Sequence, residues 1–441
     1  MAIAPLTTEA TATDIAAEIA AGKSSALAAT EAAIARIEAQ DGPINAVVVR
    51  DFDAARATAK RLDETGPQAG QPLFGVPMTV KESFNLAGHP STWGLEQARD
   101  NIAQSDAAVV QRLKRAGAVI LGKTNVPPDL ADWQSNNPVY GRTNNPHDLN
   151  RSPGGSSGGA AAAVASGMLA CEFGSDIGGS IRVPAHYCGI WGHKPTFDVI
   201  SLEGHGYPGT DSARPALSVC GPLARSAEDL ATLLDVTLDH PLQRSEVSIE
   251  GGRFLLIDEQ PMVGCSRSYR AELDRVAGQI EDAGGQVERR CELLPDLEAA
   301  HESYLKMLNI AMAGGLPAPD GTQATVRDWF DLCDIQARVY RQWRTVFGEF
   351  DFVLAPVSAT PAFQHHDGQI FQGNIAIDGE NLPASPQLAW AGLVTFPGLP
   401  ATVLPAGTVE GLPVGMQVIG DKFQDYQTID GARQIGALLA T

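Results

Sequence analysis

Arg151-Ser152-Pro153-Gly154-Gly155-Ser156-Ser157-Gly158-Gly159 is followed closely by Gly174-Ser175-Asp176-Ile177-Gly178-Gly179-Ser180-Ile181-Arg182-Val183-Pro184. Each run sets a serine, Ser156 or Ser180, in a glycine-rich turn whose backbone reaches conformations closed to other residues. Upstream, Gly75-Val76-Pro77-Met78-Thr79-Val80-Lys81 ends an apolar, strand-like segment on a lone lysine. Two turn serines and a lysine in apolar surroundings are the parts of a serine hydrolase whose base is an amine.

Outward from these runs, helix and strand patterns alternate. Residues 8–22, 25–40 and 53–64 have helical periodicity, with Ser25 placed as an N-cap. Ala46 to Val49 and Ala118 to Leu121 read as strands, the second ended by Gly122, and Ser105-Asp106 opens a helix reaching about Arg115. Small residues from Ala160 to Met168 predict a tightly packed helix. Further helices are expected at 226–234, 267–283 and much of 297–347. Further strands are expected at 254–257, 352–355, 402–404 and 414–419. Such alternation implies an α/β sheet covered by helices on both faces. Residues 133–153, rich in Asn, Pro, Gly and Arg, read as a long ordered loop of functional kind. No repeat or low-complexity linker divides the chain, so a single large domain is expected.

The 441 residues suffice for a sizeable core, and 44% hydrophobic with 19% charged residues is a globular composition. A formal net charge of −20 repels phosphate backbones, which argues against direct binding to nucleic acid or to an anionic membrane. The most apolar stretch, residues 160–171, is too short to span a bilayer, and no secretory signal is evident. Cys171, Cys188, Cys220, Cys265, Cys291 and Cys333 form no C-x-x-C pair and no metal-ligand spacing, which predicts buried free thiols in a cytoplasmic protein.

An alcohol is a weak nucleophile until its proton is taken. None of the nine histidines sits in a motif that commends it as the base. His89, His147, His193 and His205 lie in polar or turn-rich segments, His365-His366 in a loop, and all are expected to be solvated or locally bonded. Lys81 differs, because burial disfavours its ammonium form. An unperturbed lysine is neutral about one time in a thousand near pH 7.4, and a shift of roughly 3 units, about 4 kcal/mol, would make it mostly neutral. The Gly178-Gly179-Ser180 turn exposes successive N–H groups suited to an oxyanion, with Ile177, Gly178, Gly179 and Ser180 as donors. Gly154 to Gly158 also fits the G-x-S-x-G nucleophile elbow, but the elbow needs a preceding hydrophobic strand, and 144–153 is polar with two prolines. A phosphate loop is excluded by the missing G-K-[ST] ending.

These runs resemble the amidase signature family. The similarity continues through Gly192-His193-Lys194-Pro195-Thr196, Gly221-Pro222-Leu223-Ala224-Arg225-Ser226, Gly398-Leu399-Pro400-Ala401 and Gly411-Leu412-Pro413-Val414-Gly415-Met416-Gln417. It covers most of the chain and is weakest at 1–10, 240–345 and 358–392. The resemblance implies one α/β domain over 1–441, a central mixed β-sheet covered by helices on both faces, and a signature core at about 70–235. It implies Ser180 as nucleophile, Ser156 after a cis peptide as bridging serine, and Lys81 as base. Ile177, Gly178, Gly179 and Ser180 follow as the oxyanion hole, with Ser157, Asp176 and Arg182 in support. The implied reaction is amide C–N hydrolysis of a small-molecule amide with water, without metal or organic cofactor. A homodimer is compatible with the family. Trp191, His193 and Thr395-Phe396-Pro397 are individual to this chain and are read as shaping the pocket rather than the relay.

Two other functions fit the same runs. One is the glutaminase (A-type) subunit of a transfer-RNA-dependent amidotransferase, which needs partner subunits. The other is a non-catalytic binding protein on the same fold, which predicts loss of a relay residue. Aromatic candidates for an apolar acyl pocket are Tyr140, Tyr304, Trp329, Phe330, Tyr340, Trp343 and Trp390.

Overall fold

In the strand Val119–Thr124, Val119 and Leu121 pack against one set of helices and Ile120 against another. That period of two, with both sides apolar, requires helices on both faces of the sheet. The computed structural model describes residues 9–210, 215–314, 316–317 and 321–440. Val119, Leu121 and Val47 meet the helices Ala26–Ile44, Phe52–Thr65 and Gly158–Ala165. Ile120, Met78 and Val80 meet Ala108–Arg115 and Ala227–Thr237. The same division recurs at the far end. Leu255 and Val353 lie under Leu297–Met312, Val326–Val346 and Leu388–Thr395, while Phe254, Leu256 and Leu354 lie under Arg267–Asp282 and Asp425–Leu439.

Among the described residues, eleven strands form one sheet. Its order is Val47–Arg50, Val119–Thr124, Pro77–Lys81, Cys171–Asp176, Val219–Ala224, Trp191–Lys194, Ala401–Val409, Leu412–Ile419, Phe352–Pro356, Arg253–Leu256 and Gln286–Glu288. Val119–Thr124, Pro77–Lys81 and Cys171–Asp176 are parallel neighbours, as are the last three strands, and the other pairings are antiparallel. The result is a single α/β domain with a mixed central sheet. The carboxyl ends of Pro77–Lys81 and Cys171–Asp176 lie side by side, the usual place for a site in an open α/β sheet.

Most expected elements are present within a few residues. Ser25 and Ser226 cap their helices by accepting from the N–H groups of Ala28 and Asp229. Residue 8, at the expected start of the first helix, lies outside the described residues, and that helix is Ala12–Ala20. Two boundaries differ for clear reasons. The strand expected to end at Gly122 continues to Thr124, because glycine at φ 144° lets Val49 O approach where a Cβ would sit 1.9 Å away. The helix expected from Ser105-Asp106 begins at Ala108, because Asp106 accepts from the N–H of Ala87 and from Lys114 Nζ instead of capping. The six cysteines are free, four buried and two, Cys291 and Cys333, half-buried.

Candidate active site

Lys81 closes the strand Pro77–Lys81 and has no solvent exposure. Its Nζ lies 2.6 Å from Ser156 Oγ, 3.0 Å from Ser175 Oγ and 3.5 Å from the Ser175 carbonyl oxygen. Burial drives its pKa down to about 7, against the opposing pull of Asp176 and Glu172. Glu172 gives little charge in return, since burial pushes its own pKa up to about 8 despite the hydroxyls of Thr124 and Thr79. At neutral pH this carboxyl is therefore mostly protonated.

Ser156 follows a cis peptide from Gly155 and is 1% exposed. Only glycine fits before it, for a Cβ at Gly155 would meet Asp132 O at 2.3 Å. Arg151 makes just an isolated bridge to Gln364, and 152–154 carry no strand, so the nucleophile-elbow geometry is absent. Ser157 braces the turn: its Oγ donates to the Ser175 carbonyl at 3.2 Å and its N–H donates to the Ser180 carbonyl at 3.2 Å. Ser180 is thus tied through its main chain to Ser157, the neighbour of Ser156. Among the described residues, no direct hydrogen bond joins the hydroxyls of Ser156 and Ser180.

Asp176 ends the neighbouring strand and organises the turn from Ile177 to Arg182. Its Oδ1 accepts from the N–H of Gly179 at 2.9 Å and its Oδ2 from that of Ile181 at 3.0 Å. Arg182, itself buried, reaches both carboxylate oxygens, at 3.1 and 2.9 Å. Burial alone would raise the Asp176 pKa, but the Arg182 charge and these hydrogen bonds outweigh it and hold the carboxyl at about 2. Arg182 also donates to the Ala391 carbonyl, Gln417 Oε1 and Thr395 Oγ1. Thr395, read from sequence as a pocket residue, therefore braces the arginine.

The four expected oxyanion donors are not equivalent. The Gly179 N–H is already given to Asp176, while among the described residues the N–H groups of Ile177, Gly178 and Ser180 have no protein acceptor. The turn is fixed from outside by two side chains that sequence reading did not assign to it. Tyr304 Oη donates to the Ile177 carbonyl at 3.0 Å and Trp133 Nε1 donates to the Gly178 carbonyl at 2.8 Å. Because C=O and N–H of one peptide point in opposite directions, the Tyr304 contact turns the Gly178 N–H inward and the Trp133 contact turns the Gly179 N–H toward Asp176. Gly179 sits at φ 94° to make this turn. Trp133 packs edge-on against Phe371, with ring centroids 5.2 Å apart.

His205 is a further residue that sequence reading left without a part in the site. It was expected to be solvated or locally bonded, yet it is 4% exposed, wedged against Phe84 and Trp93. Its Nε2 lies 3.0 Å from Ser175 Oγ and 2.9 Å from Ser83 Oγ. His193 is also buried, between Thr402 and Asp425 and away from the relay. Of the aromatic candidates, Trp343 and Trp390 are core, Phe330 is exposed, and Tyr140 hydrogen-bonds Glu82. Tyr304 is the one seen against the turn. Among the described residues, no cluster of three or more His, Cys, Asp or Glu side chains is arranged to hold a metal ion, and no helix is long and apolar enough to cross a membrane.

Comparison with known proteins identifies the family and the fold. The family model Amidase matches residues 28–316 and 320–429. AmiB2 of Mycobacterium bovis is 34% identical over 437 residues, covering 92% of this chain and 91% of its own. The A-type subunit of the glutamyl-tRNA(Gln) amidotransferase of Moorella thermoacetica is 32% identical, covering 92% and 91%. A bacterial aryl acylamidase of the amidase signature family shares the fold, with TM-score 0.82 and 24% identity over 98% of each chain. This chain belongs to the amidase family, the amidase signature enzymes that hydrolyse amide C–N bonds.

Proposed function

We propose that the chain cleaves the C–N bond of a small carboxamide or anilide, and of related esters, through an acyl-enzyme on Ser180, with Lys81 and Ser156 relaying protons. One observation carries this reading: an amine without solvent exposure, its pKa lowered to about 7, stands 2.6 Å from a serine hydroxyl. Such an amine is about half neutral near pH 7, where an ordinary lysine offers about one molecule in a thousand.

Ser180 Oγ attacks the amide carbon as its proton passes to Ser156 Oγ and the Ser156 proton passes to Lys81 Nζ. The oxyanion takes the free N–H groups of Ile177, Gly178 and Ser180, each such donor worth about 10²–10³ in rate. Collapse breaks the C–N bond while the relay returns a proton to the leaving nitrogen. Water then attacks the acyl-serine by the same route, releasing the acid and restoring Ser180. On the side of Gly178 and Gly179 where a Cβ would stand, the side chains met are Trp133, Val183, Tyr304, Leu388 and Ala391, which suits an uncharged acyl group.

The test is Lys81→Ala. It should lower kcat by about 10²–10⁴ while the far-ultraviolet spectrum stays native; near-normal turnover would overturn the lysine base. A second reading, favoured by the similarity to the amidotransferase chain of Moorella thermoacetica, is a glutaminase that works within a complex. Ammonia release from glutamine by the isolated chain, exceeding its kcat/KM on every neutral amide, anilide and ester of a panel, would select it.

A further inference from the structure

Three oxygens surround Lys81 Nζ: Ser156 Oγ, Ser175 Oγ and the Ser175 carbonyl. An ammonium ion donates to all three. A neutral amine has two N–H groups and one lone pair, and it serves as a base only if the lone pair faces Ser156. Both N–H groups must then lie on Ser175, whose hydroxyl must accept from Lys81 and send its own proton elsewhere. If the Ser175 proton pointed at Lys81, it would occupy the lone pair and disable the base.

Among the described residues, His205 Nε2 is the remaining polar neighbour of Ser175 Oγ, at 3.0 Å. We propose that His205 is a positioning residue for the relay: its Nε2 is the unprotonated ring nitrogen and accepts the Ser175 hydroxyl proton, which leaves the Lys81 lone pair free for Ser156. The inference rests on the relay proposed above, since only a neutral Lys81 needs this direction imposed.

Several features keep the imidazole neutral and fixed. It is buried, and Phe84 and Trp93 hold its plane, with ring centroids at 4.6 and 5.4 Å. Burial first, and the nearby charges of Lys81 and Lys123 after it, push its pKa down to about 3, while a hydrogen bond with its own main chain works the other way. Ser83 Oγ, 2.9 Å from the same Nε2, is a second hydroxyl facing the acceptor. The opposite tautomer would present Nε2–H to Ser175, whose own proton would then turn toward Lys81.

Two measurements test this on the full-length protein. In histidine-¹⁵N-labelled enzyme at neutral pH, long-range proton–nitrogen spectra, assigned with His205→Gln, should find Nδ1 of His205 protonated and Nε2 bare. A protonated Nε2 overturns the proposal whatever the activity, and so separates its failure from failure of the lysine relay, which Lys81→Ala probes alone. Kinetically, His205→Phe should lower kcat about tenfold with KM within about twofold, and His205→Gln, which keeps an acceptor, should recover part of that loss. In a Ser175→Ala background, where no hydroxyl competes for the lysine, His205→Phe should cost little more. Equal losses in both backgrounds would assign His205 a merely structural part and overturn the proposal. If His205→Phe does not fold, the spectrum of the unaltered protein still decides.

Discussion

Tyr304 Oη donates to the Ile177 carbonyl at 3.0 Å, which ties the helix Leu297–Met312 to the turn that carries Ser180. A phenol on a helix far along the chain thereby sets the direction of the Gly178 N–H. Together with Trp133 on the Gly178 carbonyl, it makes the turn rigid before substrate arrives.

Removing either clamp should therefore weaken the transition state more than the ground state. Tyr304→Phe and Trp133→Phe keep the ring and lose only the donor. Each should lower kcat by about tenfold with little change in KM, the equivalent of one hydrogen bond of about 1 kcal/mol. Affinity for a boronic-acid analogue of the tetrahedral intermediate should fall in parallel with kcat/KM. A rise in KM with kcat untouched would show that these rings serve substrate binding and not the oxyanion.

The rate should rise with pH through about 7, since Lys81 must lose its proton to act and burial has brought its pKa there. Lys194 is also held near 7, chiefly by burial, but its Nζ donates to the carbonyls of Pro195 and Leu399, away from Ser156. The acid limb of kcat/KM should consequently survive Lys194→Met in any variant that folds. A profile flat from pH 5 to 9, with chemistry shown to limit the rate, would contradict a lysine base.

The same shift makes Lys81 a burden on folding. In the unfolded chain the amine keeps its proton up to about 10.5, whereas in the native protein it gives it up near 7. Between those values the unfolded state binds more protons, so native stability climbs with pH across that window. Below it the full penalty is present, about 5 kcal/mol before lost contacts are counted. Lys81→Met should accordingly raise the melting temperature by a few degrees at pH 6, with a gain that shrinks toward pH 10, while abolishing turnover. A lower melting temperature at pH 6 would count against a strained, buried amine.

Asp176→Asn strips the charge from a buried pair and leaves Arg182 uncompensated. A loss of about 3–5 kcal/mol in unfolding free energy is expected, because the remaining cation has no route to water. Denaturant unfolding of the variant, alone and combined with Arg182→Met, measures it. The double variant should recover part of the loss.

The three residues proposed as the relay stood out in the sequence because two glycine-rich turns bearing serine and a lysine ending an apolar run occur together, and the structure brings two of them, Lys81 and Ser156, within 2.6 Å. The expected helices with a polar face, such as Arg267–Asp282, were legible for the ordinary reason that one side of each is dry. What escaped was the polar interior. Cys171–Asp176 and Trp191–Lys194 are strands in the middle of the sheet, yet Glu172, His193 and Lys194 are buried within them. Residue type alone marks such side chains as surface, and only their partners, distant in sequence, reveal otherwise. His205 and Trp133 were missed similarly, and Tyr304 was read as lining a pocket instead of holding the turn, since each hydrogen-bonds a residue at least 30 positions away. The commitment of the Gly179 N–H to Asp176 depends on a turn geometry that glycine permits but does not dictate.

Successive side chains of an extended strand point to opposite faces. At the end of Cys171–Asp176 this places Ser175 against the lysine and Asp176 within the turn that bears Ser180. In the proposed mechanism, proton uptake and charge acceptance are thus fastened to two adjacent residues of one peptide segment. A shift of that segment would misalign both together, so drift in specificity is better accommodated in the helices and loops of the later half.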